Sequence, residues 1–283
     1  MNILLLGGGG YIGIPLARKL KTEHNVIIYD NLSHGQRIDT PQGISFINDD
    51  VKNIDNHLYQ LSDIDVIYYM ASPRLSGLQN DEQVRSKLNS FHKFLEHFSK
   101  TKLYFFSSCS VYGNQPDICN EDSKVIETSK YSKLKIESEN LLQNLSSNYT
   151  ILRLSTLFGY SDVIRNDLLV NNFLHDIKDY DYLEVYDSNS WRPNIHIDDC
   201  IEVLYKLLYL DITDNILNIG DNSLNITKRN LIETIQSVLG KTINFKEIDT
   251  ESTRSYKVDF SKLNSYINYN YQNYPQSIKK MLL

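Results

Sequence analysis

The chain has 283 residues, 41% hydrophobic and 23% charged, and its 29 basic and 35 acidic side chains give a formal charge of −6. That length suits one large α/β unit or two lobes sharing a chain, with ample material for a core. The acidic balance and the scatter of the basic residues argue against a nucleic-acid partner. No apolar run approaches membrane-spanning length, and the start lacks the basic segment of a signal peptide. Cys109, Cys119 and Cys200 lack metal-ligand spacing and cannot all pair, which points to a reducing cytoplasm and to no metal.

Residues 3–6 are four consecutive apolar side chains, the pattern of a parallel strand buried on both faces. Glycines follow at once. Gly8-x-Gly10-x-x-Gly13 fits the dinucleotide fingerprint, and a second spacing, Gly7-x-x-Gly10-x-x-Gly13, overlaps it. Glycine is needed there because the backbone must turn tightly and approach a pyrophosphate with no Cβ in the way. A helix starting near Gly10 aims its N-terminal amides at the phosphates. A second strand, 26–29, ends at Asp30, roughly 20 residues on, where a carboxylate can accept both adenosine ribose hydroxyls. The same charge repels a 2′-phosphate, so the pattern favours NAD over NADP.

Further strands are expected at 44–47, 66–70, 103–106 and 150–154, with helical periodicity over 12–20, 82–98 and 131–145. This alternation predicts an α/β fold with a doubly wound parallel sheet, in which ligands bind at the carboxyl ends of the strands. Past residue 155 the alternation weakens. A helix is expected over 167–177, strands at 182–186 and 194–197, a helix over 198–210, a strand at 215–219, a helix over 227–239 and a short one near 276–283. His196, Asp198 and Asp199 read as a helix start, with Asp198 or Asp199 as the N-cap, rather than as a metal site. The expected division is a dinucleotide domain of residues 1–155 plus about 192–218, with a smaller C-terminal substrate-binding lobe of about 156–191 and 219–283.

Two features sit where strand ends place chemistry. Ser107 and Ser108 emerge from the apolar strand at 103–106, and Tyr131 lies four residues before Lys135 at a helix start, on the same face. A free phenol, with a pKa of about 10, is a poor base. A neighbouring ammonium and the positive nicotinamide would lower it, so that Tyr131 could take a hydroxyl proton while Ser108 holds the same oxygen. Cys109 has no His–Asp context and reads as packing.

The glycine pattern, Asp30, Ser107-Ser108-Cys-Ser-Val-Tyr-Gly113 and Tyr131-x-x-x-Lys135 together resemble the extended short-chain dehydrogenases, the NAD-dependent nucleotide-sugar epimerases and dehydratases, over nearly the whole chain. The resemblance implies a Rossmann domain and NAD contacts from Gly7, Gly10, Tyr11, Ile12, Gly13, Asp30, Asn31, Asp50, Val51, Met70, Ala71, Ser72, Ser107, Tyr131 and Lys135. It makes Ser108, Tyr131 and Lys135 the catalytic residues. Arg165, Asn171, Asn172, Arg192 and Arg254 resemble the residues that bind the nucleotide-diphosphate sugar. A homodimer through the helices at 82–98 and 131–145, and a place in surface polysaccharide synthesis, are further implications. The chain departs from the family where an asparagine is common, aligned here with Ser86, and where dehydratases carry an acidic pair, here Cys109 and Ser110. Elimination of water needs an acid and a base, so a 4,6-dehydratase or a decarboxylase is disfavoured. The expected activity is a nucleotide-sugar epimerase, at C4 through a 4-keto intermediate. Net oxidation or reduction at C4 by the same residues, and a non-catalytic NAD-binding protein, are the alternatives.

Overall fold

The computed structural model describes residues 1–283 apart from 34–40, 74–76, 180–181, 213, 251–253 and 283. In chain order the first half comprises β1 (Asn2–Leu6), α1 (Gly13–Leu20), β2 (Asn25–Tyr29), β3 (Ser45–Ile47), β4 (Val66–Tyr69), α2 (Asp81–Phe98), β5 (Lys102–Ser108), β6 (Ile118–Cys119), α3 (Lys130–Leu145) and β7 (Tyr149–Leu154). The second half comprises β8 (Thr156–Phe158), α4 (Leu169–Asp179), β9 (Tyr182–Tyr186), β10 (Trp191–His196), α5 (Ile197–Leu207), β11 (Ile216–Ile219), β12 (Asn225–Thr227), α6 (Lys228–Leu239), β13 (Asn244–Ile248), β14 (Lys257–Val258), α7 (Ser261–Tyr266) and α8 (Tyr274–Leu282).

Seven strands make one parallel sheet in the order β11-β7-β5-β4-β1-β2-β3. Leu5 of β1 lies between Ile28 of β2 and Tyr68 of β4. Ile3 to Leu6 are wholly buried, as a strand covered on both faces requires. The chain winds one way from β1 to β3 and the other way from β4 onward, so a crevice opens at the carboxyl ends of β1 and β4.

One face of the sheet packs on α1 and α5 through Leu5, Ile14, Ala17, Ile28, Ile201 and Leu204. Tyr68 and Tyr104 stack there with ring centroids 4.9 Å apart. Their hydroxyls donate to the carbonyls of Leu204 and Leu207 at 3.0 and 2.8 Å. The Leu204 carbonyl in the last turn of α5 is thereby satisfied, and the Leu207 carbonyl gains a second donor beside the Leu210 N–H at 3.3 Å. The other face packs on α2 and α3 through Phe91, Phe94, Leu95, Phe98, Phe105 and Leu142. The apolar stripe of α2 is therefore used inside the chain, while Glu82, Arg85, Asn89 and His92 face outward.

A separate core of Phe158, Val170, Leu183, Leu231, Ile235 and Ile278 holds the smaller lobe together. The strand expected at 194–197 is β10, which joins β8 and β12 in a three-stranded sheet beside the main one. One expectation changes here. Helix α5 is capped by His196, whose Nδ1 accepts the Asp198 N–H at 3.3 Å, and not by Asp198 or Asp199. The buried Asp199 carboxylate instead accepts the Tyr269 hydroxyl at 2.7 Å and the Gln272 amide, drawing the chain after α7 onto α5.

Candidate active site

The turn after β1 is built by crossing backbones. Gly7 has φ +80°, and a Cβ on it would lie 2.4 Å from the Ala71 nitrogen. A Cβ on Gly13 would lie 2.3 Å from the Gly8 carbonyl oxygen. Neither neighbour can yield, because both are main chain. Gly10 differs: its nearest neighbour would be the Gly7 oxygen at 3.7 Å, so its missing side chain leaves open space over the turn. Helical hydrogen bonding starts at Gly10, whose carbonyl accepts the Ile14 N–H at 3.2 Å. Amides of this first turn have no partner within the helix and suit an anion. Replacing Gly13 by Ala should lower the stability of the ligand-free chain by about 1–3 kcal/mol, the usual effect of overpacking. Replacing Gly10 by Ala should leave it within about 0.5 kcal/mol. Urea unfolding of the two variants measures the difference.

Asp30 closes β2 against this turn. Its carboxylate accepts the Gly9 N–H at 2.9 Å and the Leu32 N–H at 2.7 Å. Asn31 donates to Asp50 at 2.7 Å, and Asp50 caps the 3₁₀ turn that begins at Val51 by accepting the Lys52 N–H at 3.0 Å. A cavity of about 590 Å³ runs from the glycine turn past Asp30, Asp50 and Met70–Ser72 to Ser108, Tyr131 and Lys135, and ends among Arg165, Arg192 and Arg254. Gly7, Gly10, Tyr11, Ile12, Gly13, Asn31, Val51, Ala71 and Ser107 also line it. Glycines without side-chain space, free helix amides and a carboxylate at the end of β2 fit a dinucleotide.

The strand end and the helix meet over this cavity. Ser108 closes β5, and its hydroxyl accepts the Ser110 N–H at 3.1 Å. The Tyr131 phenol lies near that same hydroxyl, which favours its ionised form. Lys135, one turn along α3, donates its Nζ to the Phe106 carbonyl at 2.6 Å and lies 5.7 Å from the centre of the Tyr131 ring. Burial pushes Tyr131 above its ordinary value, opposed by the Arg165 charge and the nearby Ser108 hydroxyl. Burial in turn pulls Lys135 down to about 8, against the pull of the Glu139 carboxylate.

Arg165 forms a two-pronged pair with Asp167 at 2.7 and 2.8 Å. Arg192 donates to the carbonyls of Trp191, at 2.8 Å, and Arg254, and lies over the Tyr256 ring at 5.8 Å. Burial and the Arg254 charge both disfavour the Arg192 cation. Asn171 and Asn172, read from the sequence as substrate contacts, are not among the cavity-lining residues. The Asn171 amide accepts the Gly159 N–H at 3.0 Å and donates to the Tyr11 hydroxyl and the Arg165 carbonyl at 3.3 and 3.1 Å, an internal role. Tyr11 itself donates to the Gly159 carbonyl at 2.6 Å, tying the glycine turn to the loop that carries Arg165. On α2, Lys87, Ser90 and Phe91 face the cavity, whereas the aligned Ser86 does not. Cys109 is fully buried, with its thiol pushed up by burial and directed at the Arg153 carbonyl at 3.1 Å.

Sequence reading missed a buried ion pair behind the cavity. Arg153 of β7 donates to both oxygens of Glu139 at 3.2 and 2.8 Å, and to the Tyr112 hydroxyl and the Glu121 carbonyl at 3.1 and 3.2 Å. The available signal was an arginine inside the apolar strand 151–154 and a glutamate on the same face of α3 as Lys135.

A family model described as the NAD dependent epimerase/dehydratase family matches residues 3–220. A putative UDP-glucose 4-epimerase of Methanocaldococcus jannaschii is 24% identical over 235 residues, covering 77% of this chain and 76% of its own length. Protein CapI of Staphylococcus aureus is 25% identical over 303 aligned residues, covering 89% of this chain and 87% of its own. The crystal structure of UDP-glucuronic acid 4-epimerase from Bacillus cereus, in complex with UDP-glucuronic acid and NAD, is similar with a TM-score of 0.84 at 22% identity, over 100% of this chain and 98% of that one. TunA, an NAD dependent NDP-hexosamine 5,6-dehydratase, is similar with a TM-score of 0.85 at 21% identity, over 100% and 96%. The two structures share one fold across two chemistries. With the family model spanning most of its length, this chain belongs to the NAD dependent epimerase/dehydratase family.

Proposed function

We propose that the chain is a nucleotide-sugar 4-epimerase that works through a 4-keto sugar. The observation that carries this reading is the meeting of Ser108, Tyr131 and Lys135 over one cavity that continues to the glycine turn on one side and to three arginines on the other. When bound, NAD supplies the acceptor and donor of hydride at the sugar carbon. Gly7, Gly10 and Gly13 would face its pyrophosphate, Asp30 its adenosine ribose, and Lys135 its nicotinamide ribose. Tyr131 takes the proton of the C4 hydroxyl, which Ser108 holds by hydrogen bond. After the keto sugar turns in the cavity, Tyr131 returns the proton to the oxygen now presented by the other face.

Arg192 and Arg254 are adjacent like charges whose mutual repulsion a diphosphate would relieve. Arg165, already paired with Asp167, completes that end of the cavity. Relatives named for UDP-sugars support uridine as the base. Cys109, buried and away from the cavity lining, and Ser110 offer no acid and base for elimination, which favours epimerisation over dehydration. A homodimer in the cytoplasm, serving polysaccharide synthesis, is the setting the family resemblance supports. The three cysteines are free, and among the described residues no helix is long and apolar enough to cross a membrane.

Purified protein incubated with UDP-glucose or UDP-glucuronic acid should form the C4 epimer, read by NMR of the product, without accumulating NADH. Steady NADH formation would instead establish net oxidation.

A further inference from the structure

Three successive residues at the end of β5 face residues on successive turns of α3. The Ser108 hydroxyl lies near the Tyr131 phenol, the Phe106 carbonyl accepts from the Lys135 ammonium at 2.6 Å, and the Ser107 hydroxyl donates to the Glu139 carboxylate. The first two rungs are the reacting groups. The third is a carboxylate only 2% exposed, held from behind by Arg153, which is 4% exposed.

We propose that Glu139 is a positioning residue for the reaction: its buried carboxylate supplies the counter-charge beside Lys135 and locks the end of β5 against α3. Glu139 does not line the cavity, so it acts through its neighbours. Lys135 is almost wholly removed from water and donates to a neutral carbonyl, so burial works against its charge. Among the described residues, Lys87 of α2 and Tyr69 of β4 line the cavity that Lys135 also lines. Around the pair, helix α3 contributes Tyr131 and Glu139, β7 contributes Arg153, and Tyr112, Cys109 and the buried Glu121 lie beyond Arg153. Glu121 turns its carboxylate to the Asn218 amide at 2.8 Å. Glu139 is the charge that opposes burial at Lys135, which stands at about 8.

The sign follows directly. A carboxylate favours the ammonium, so removing its charge lets Lys135 lose its proton at lower pH. If the reaction needs that ammonium, kcat/KM falls as pH rises through about 8 in the wild type. The fall should begin about one pH unit lower in Glu139→Gln, roughly a fivefold loss against the wild type at the wild-type midpoint. Glu139→Asp, which keeps the charge, should restore most of the difference.

The inference rests on Lys135 as a working residue, so the decisive measurement uses no turnover. Lys135 is titrated by NMR of isotope-labelled lysine in the full chain, and assigned by comparison with Lys135→Met. Midpoints are compared in the wild type, Glu139→Gln, Glu139→Asp and the charge-free pair Glu139→Gln with Arg153→Gln. A midpoint about one unit lower in both glutamine variants, recovered in Glu139→Asp, supports the proposal. An unchanged midpoint and unchanged pH profile, with stability alone reduced, overturns it. Should neither glutamine variant fold, the wild-type titration decides: a midpoint near 8 supports the counter-charge, and an amine already neutral below neutral pH overturns it. A shifted amine in a chain that converts no sugar nucleotide would sink the epimerase reading and leave the Glu139 effect standing.

Discussion

Replacing Tyr131 by Phe should lower kcat by about 10²- to 10⁴-fold, the range over which a positioned acid–base group contributes. The structure limits what else the substitution can do. The phenol oxygen lies near the Ser108 hydroxyl, and Phe keeps the ring beside Lys135, Leu134 and Leu88. Folding and nucleotide binding should therefore be preserved, with KM changed far less than kcat, the pattern of an interaction made mainly in the transition state. Steady-state kinetics beside a thermal melt separates the two effects. A variant that melts like the wild type and turns over at the same rate would show that another group carries the proton.

Replacing Arg153 by Met should destabilise the folded chain by about 3–5 kcal/mol, the usual effect of removing one partner from a buried ion pair. Methionine fills much of the arginine stem but strands the Glu139 carboxylate, with the Ser107 hydroxyl as its remaining partner. Tyr112 would lose one neighbour while keeping its bond to Asn218 at 2.6 Å. Urea unfolding reads the loss directly. Replacing the pair by two apolar residues of similar volume should recover part of it, because Glu139 is then no longer stranded, while Lys135 loses its counter-charge. A loss below about 1 kcal/mol for Arg153→Met would mean that water reaches Glu139.

Much of the dinucleotide side was legible because its chemistry is local. Four apolar residues, a glycine spacing and an acid at the next strand end form a continuous pattern, and β1, α1 and β2 follow it within a residue or so. The Tyr131–Lys135 spacing is equally local, since a helix turn sets it. What escaped was whatever depends on distant partners. Strands β6 and β14 are two residues each and have no periodicity to detect. The N-cap of α5 fell to His196 because β10 delivers its ring to the helix start, while Asp199 was drawn away by Tyr269 and Gln272. Glu139 reads as a solvated helix residue until Arg153 arrives from β7. Asn171 and Asn172 lay in a segment that resembles a substrate site, yet packing turned Asn171 to the backbone and left both outside the cavity lining.

The pairing of β14 with β6 sets Lys257 opposite Ile118 and Val258 opposite Cys119, and the Asp259 amide bonds to the Cys119 carbonyl at 2.7 Å. Arg254 thus reaches the chamber on a cord stitched back into the first half of the polypeptide. Severing the chain near residue 250 should therefore loosen the wall of the cavity that Arg254 and Tyr256 provide. Exchanging sugar preference between relatives of this architecture therefore calls for grafting the β6 edge together with the tail that clips onto it.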